Sequence, residues 1–540
     1  MSDDRTGPDE QPIDAAAQAD DEALDPTRDD ASDEAPDAAT TAEPESESEP
    51  EPEPEPEPED AGDVDTNATG ADDVDLATDV TATDREAAAI EAAERARALE
   101  PRTVGLWGVR AAAGIATLAI GVLAVLAAPS LPTVQADARI ASVAPDAPAE
   151  TRVCAGPLLG IGDASGDAGA VAALAQPSLN GYFEESASIA FDEGDGAATV
   201  LQGPGVGGAE ALGVDTTTAA GVAASACTEP ATSQWLVGGA TTTGRTSVLT
   251  VANPGTAATS VDVSIFGPEG QVDAVGSTGI AIAGGSVAVV DLAAFAPGLA
   301  APVVQVTSSG GPVTVHLQHT VVRTLQPGGV DVVDSTQAST DLAIPGVIIG
   351  EPTGLQTREG FADAVPALRV LAGESTTATV TTIADGDEPI AATLDLVGGQ
   401  VQEIDLSGLA PGTYAFTIEA DVPIVAAARQ VRVDGDAIDL DWVAGQSAWL
   451  DGTTTMPVTA GEDGRVHVLS LSDEPTTVTI GDDEVELAPG AFRTLPVEEG
   501  VTFVEGRDVV LAVTFSGSAG IAGYAITPRI AAREGIDVVL

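Results

Sequence analysis

Beyond residue 139 apolar and polar positions alternate with period two, in short runs closed by Gly, Pro and Asp about every ten residues. In the stretch from Ser247 to Gly270, Leu249, Val251, Val261, Val263 and Ile265 fall on one face, while Thr250, Asp262 and Ser264 fall on the other. Asn253-Pro254-Gly255 and Gly267-Pro268-Glu269-Gly270 supply the turns between the runs. Strands of this kind, with one buried and one wetted face, predict an all-β region of Ig-like β-sandwiches.

Two recurrences divide that region. Asp291-Leu292-Ala293-Ala294-Phe295-Ala296-Pro297-Gly298 returns as Asp405-Leu406-Ser407-Gly408-Leu409-Ala410-Pro411-Gly412, with a weaker copy at Leu487-Ala488-Pro489-Gly490. Trp235 in a Gln-Trp-Leu-Val-Gly stretch is echoed by Trp449 in Ala-Trp-Leu-Asp-Gly. Three tandem domains follow, at 232–335, 340–440 and 445–540. Residues 139–231 form either a fourth, less regular β unit or a completion of the first sandwich.

Upstream the pattern changes twice. Ala111 to Ala128 is an uninterrupted apolar run, which as a helix rises about 27 Å, close to the hydrocarbon thickness of a bilayer. With Val104 to Val109 and an interfacial Trp107 it makes a transmembrane helix over 103–128, ended by Pro129. Arg95, Arg97, Arg102 and Arg110 precede it, and the first basic residue after it is Arg139. By the positive-inside rule the N-terminus is cytoplasmic and the remainder exported, as a single-pass protein of the cell membrane. A cleaved leader ending near Ala136-Asp137-Ala138 is the competing reading. Residues 84–102, Ala-rich with Glu91 and Arg95 one turn apart, predict a short juxtamembrane helix. Residues 1–83 almost lack large apolar side chains, and the Glu-Pro repeats between Glu43 and Glu59 favour an extended spacer, so this acidic tail is expected to be disordered.

Composition sharpens the picture. The 540 residues carry 20 Lys+Arg, all of them Arg, against 86 Asp+Glu, a formal net charge of −66. Such a chain repels nucleic acid at long range, which excludes it as a partner class. The only cysteines, Cys154 and Cys227, both lie on the exported side. They are expected to form one disulfide, two free buried thiols being the alternative. A lipid-modified Cys154 does not fit Thr151-Arg152-Val153 before it.

The order of acidic tail, single anchor, one Cys, and a second Cys shortly before the stretch SQWLVGGATTTGRTSVLTVANPG resembles an actinobacterial family of membrane-anchored envelope proteins catalogued as domain of unknown function 5719. The likeness spans most of residues 105–540. It implies location and fold, and transfers no catalytic residue.

Chemistry is sparse. Of three histidines, His316 and His319 sit three apart in a predicted strand and so point to opposite faces, which argues against a metal site. His467, between Val466 and Val468, is expected to project into solvent. Ser516-Gly517-Ser518-Ala519-Gly520 lacks both the spacing and the helix of a nucleophile elbow. The acid pairs Asp482-Asp483 and Asp385-Gly386-Asp387 fall at turns. Asp163-Ala164-Ser165-Gly166-Asp167 starts like a calcium loop but has Leu174 where an EF-hand needs Glu; looser calcium binding between acidic loops stays open. Trp442 and Trp449 offer either a platform for a sugar or core packing, with core the default. No catalytic residue, cofactor or metal is predicted. The expectation is a non-enzymatic structural or accessory module binding an envelope protein or glycan; the alternative is an envelope hydrolase or glycan-modifying enzyme using acidic loop residues.

Overall fold

The computed structural model describes residues 140–143, 150–162, 169–528 and 536–539. The acidic tail, the juxtamembrane helix, the apolar run and the Asp163–Asp167 loop lie outside them. Among the described residues the regular structure is all-β apart from two 3-10 turns, and no helix is long and apolar enough to cross a membrane.

The alternating stretches become strands with the expected inner face. Leu249, Val251, Val261, Val263 and Ile265 are buried together with Leu317, Val304 and Val306, while Asp262 is exposed. Thr250 departs from the expectation of a wet outer face: it is buried, because a second apolar layer built from Val153, Leu159, Ile189, Phe191 and Val200 packs on Val248 and Ala252 of the same strand. That layer comes from residues 151–202. Its strand Glu185–Phe191 runs parallel to Ser286–Asp291, pairing Ser286 with Ala190, so the sheet of the 245–333 segment continues into the N-terminal segment.

The next two segments each fold around one long strand. Gly412–Asp434 pairs through its first half with Ser339–Ile349 and Thr376–Ala384, and through its second half with Ala367–Ala372 and Ala437–Ala444. The two halves thus belong to two layers whose inner faces, Ile344, Phe416 and Ile418 against Val370, Ala426 and Val443, close on each other. Gly500–Gly517 does the same for residues 450–526, where Met456, Val458 and Val504 face Val466, Leu511 and Tyr524. At the two ends of the β region, Ile140–Val143 pairs antiparallel with Ile536–Val539.

Four antiparallel hairpins meet at a common hub. Their second arms, Ala220–Ala226, Gln326–Val333, Ala437–Ala444 and Gly520–Ile526, are called the inner strands in that order. Each packs against the next, and the fourth returns to the first, closing a ring. All four run the same way. A small cleft at one end is lined by their first residues, among them Gly221, Pro327, Ile438 and Gly520, and a larger cleft at the other is lined by residues around and beyond their last.

Candidate functional site

The ring is tied by carboxylates where ladder bonds would otherwise run. Asp439 on the third inner strand accepts backbone N–H bonds from Val222 on the first at 3.0 Å, Val330 on the second at 3.1 Å and Ile521 on the fourth at 3.0 Å. Only glycine fits around it. Gly221, at φ +146°, and Gly520, at φ +153°, would each drive a Cβ into the Asp439 carboxylate. Asp441 accepts from Gly523 at 2.9 Å and from the Gln430 amide at 2.7 Å, Asp331 from Trp442 at 3.1 Å, and Asp334 from Ala226 at 3.1 Å.

Burial dominates the electrostatics of these groups. It pushes Asp439 and Asp441 up to about 7, and Glu210, bonded to the Gly156 amide, to about 7. Asp331 and Asp334 are held well above the usual carboxylate range by burial first and by the nearby Asp441 charge as well. Among the described residues no group of three or more His, Cys, Asp or Glu has a geometry that could hold a metal ion.

A second buried network joins the 245–333 and 367–444 segments. Arg369 donates to Glu403 at 2.8 Å and to the carbonyls of Gly239 and Pro302, and Arg429 donates to the same Glu403 at 3.0 Å. Both guanidiniums lie over the Trp442 ring, at 4.3 and 5.2 Å from its centroid. Trp442 is 3% exposed, so its faces are given to these arginines. Trp449 is half-buried against Leu469, Phe492 and Val510.

The histidines are all internal. His467 is 1% exposed, correcting the outward projection expected from its alternation. Its ring bonds Thr494 at 3.0 Å and Thr514 at 2.7 Å and stacks on Phe492, because both faces of its strand are covered. His316 and His319 lie on Thr314–Arg323 and are both 2% exposed. Burial pushes His316 and His467 down to about 4 and His319 to about 3, leaving all three neutral at neutral pH. The remaining sequence candidates stay apart. Ser518 sits in a hairpin turn bonded to Glu462, and Asp385 pairs with Arg493 at 2.6 Å. Asp482 and Asp483 are exposed beside the turn of another hairpin. Cys154 and Cys227 form a disulfide, packed against Leu201 and Val206.

The larger cleft, about 460 Å³, opens where the inner strands end. The segments that leave those strands line it: Thr228 to Gln234, Ser335 to Gln337, Gly445 to Ala448, and Thr527 with Pro528. Its surface is more apolar than polar, with hydroxyls and amides set into it and Arg152 and Glu229 as the charged members among the described residues. The first three segments are pinned by two-way backbone bonds, Thr228 to Val153 and Ala231 to Val313 on the first, Thr336 to Trp235 on the second and Gln446 to Ala343 on the third. The polar groups on those three segments are therefore rigidly placed.

A family model described as a family of unknown function, DUF5719, matches residues 185–504. The chain belongs to that family. The DUF5719 match takes in the first three inner strands and three of the four cleft-lining segments, while Arg152 and the fourth inner strand lie beyond its limits. No curated protein matches the chain. Among solved structures, the crystal structure of Thermotoga maritima 1070 aligns at 15% identity over 20% of this chain and 94% of that one, with a TM-score of 0.18.

Sequence reasoning missed the hub acids and the cleft. Ile438-Asp439-Leu440-Asp441-Trp442 alternates as a half-exposed strand should, so its acids read as solvent-facing. What no local pattern carries is that the other inner strands cover that face as well.

Proposed function

We propose that this DUF5719 chain is a single-pass protein of the cell envelope, anchored through 103–128 with its acidic tail in the cytoplasm. Its β region then acts outside the membrane as tandem Ig-like modules with a non-enzymatic, accessory role, binding an envelope protein or glycan. The anchor reading is supported by the apolar run and its arginine bias, and export by the disulfide.

The observation that carries the binding role is the cleft at the hub. Four chain segments converge on it with amides and hydroxyls held in place, which suits recognition, whereas all three histidines are packed away from it. Among the described residues that line it the single carboxylate, Glu229, stands without the opposed partner that acid–base cleavage of a glycan requires.

The test uses full-length protein purified in mild detergent and immobilised over solubilised fragments of its own cell envelope. Retention of fragments whose masses are unchanged on elution supports the accessory reading. Release of shortened fragments would establish the hydrolase instead, and loss of that release in Glu229→Gln would name its acid. In parallel, protease treatment of intact cells should remove a C-terminal epitope and spare an N-terminal one.

A further inference from the structure

We propose that the hub cleft is a receptor site for a small zwitterion of the amino-acid or short-peptide class, its carboxylate taken by Arg152 and its ammonium by Glu229. This rests on the cleft being a binding site and adds the chemistry of what enters it.

Arg152 is 6% exposed, and only one of its bonds is of ordinary strength, Nε to the Val206 carbonyl at 2.9 Å. Its outer edge is loosely held: Nη1 reaches the Cys227 carbonyl at 3.4 Å, and Nη2 reaches the Thr527 carbonyl at 3.3 Å and Glu229 at 3.4 Å. Charge-assisted bonds normally close to about 2.7–2.9 Å. A desolvated guanidinium with its fork under-used is the partner that a planar carboxylate fits. Glu150 also acts on Arg152, but its carboxylate is engaged by the Gly205 amide at 2.8 Å.

The same lining holds polar groups without a partner. Thr228 and Gln446 belong to the cleft lining at 7% and 4% exposure, and their Oγ1 and Oε1 are buried without a hydrogen-bond partner. A buried polar atom left open in this way costs about 1–3 kcal/mol, and a side-chain turn toward the cleft would let the N–H groups of a bound ammonium or peptide bond recover part of it. Glu229, with its side chain 41% exposed, can turn from Arg152 toward an ammonium.

Charge and shape decide the class. Even without its acidic tail the chain carries far more Asp and Glu than Arg, so an anion is repelled at long range, whereas a zwitterion is not. Among the described residues that line the cleft none is aromatic, so the platform on which sugar rings stack is missing there. Its volume of about 460 Å³ lies toward the lower part of the range for small-molecule sites, and suits one or a few residues of peptide rather than a polymer.

The experiment is calorimetric titration of the detergent-solubilised full chain with alanylalanine, its N-acetyl form and its C-terminal amide. Saturable binding of the free dipeptide is expected, at least tenfold weaker for either capped form. Glu229→Gln should bring the N-acetyl form level with the free dipeptide, and Ala448→Trp, which fills the cleft from a half-exposed position, should abolish binding. Absence of saturable binding, indifference to both caps, or full binding by folded Ala448→Trp overturns the proposal; if that variant does not fold, Glu229→Gln decides alone. If envelope fragments are retained by the native chain and lost with Ala448→Trp while no dipeptide binds, the binding role stands and the zwitterion falls.

Discussion

The carboxylate of Asp439 accepts the backbone N–H of Ile521 at 3.0 Å, joining two strands that share no ladder. Its two oxygens also take Val222 and Val330, so one side chain ties three neighbours to its own strand. Asp439→Asn keeps the shape but turns an N–H₂ toward backbone donors. A loss of about 1–3 kcal/mol in denaturant unfolding is expected, since the N–H₂ must face either Val330 or the Val222 and Ile521 pair and leaves at least one buried donor unpaired. Gly520→Ala should destabilise comparably, since its Cβ meets the same carboxylate at a φ of +153°. Unfolding midpoints unchanged in both variants would remove Asp439 as the hub tie.

The hub makes stability pH-dependent with a definite sign. Asp439, Asp441 and Glu210 titrate at about 7 in the folded chain, and Asp331 and Asp334 are raised as well, against about 4 in an unfolded chain. Their contribution is complete below about 4 and is lost as pH rises through about 7. The buried histidines oppose this: their contribution is present above about 6.5 and lost as pH falls through their folded values of about 4 and about 3. The raised carboxyls outnumber the histidines, so thermal midpoints should rise from pH 8 to pH 5.5. Asp331→Asn removes one of the two mutually repelling carboxyls, and should raise stability at pH 8 and flatten the profile. A midpoint that climbs steadily toward alkaline pH would contradict this account.

Glu403 holds two buried guanidiniums at once. Glu403→Gln leaves Arg369 and Arg429 without their shared anion beneath Trp442, and a loss of about 3 kcal/mol is expected, with a change in tryptophan emission. Arg465→Gln breaks an ion pair whose side chains are 39% and 60% exposed, and should cost about 0.5 kcal/mol or less. Equal effects of the two substitutions would show that burial is not what gives the Glu403 pairs their weight.

Replacing Cys154 and Cys227 by Ala together opens a closed loop with a sequence separation of 73. Loss of about 4 kcal/mol is expected in the chain-entropy model. Free-thiol labelling of the native chain should be negligible before reduction, and a labelled native protein would refute the bond.

Much of the fold is written in local pattern. The inner faces of Leu249–Val251 and Val261–Ile265 follow from period-two alternation and their turns, because a strand with one apolar face has one way to bury it. With only two cysteines in the chain, Cys154 and Cys227 are the one pairing a disulfide could have, and the structure shows them joined rather than free.

Other residues show where that legibility stops. His467, Thr250, Asp331 and Asp439 all occupy positions that alternation assigns to solvent, and all are buried. The sequence by itself determined the all-β architecture and the family, since periodicity, turn residues and short motifs act between near neighbours along the chain. Tertiary structure alone decided that four inner strands close a ring over aspartates, and that segments from Arg152 to Pro528 meet in one cleft. The physical reason is that a strand has two faces, and the second is dry or wet according to what distant parts of the chain lay against it.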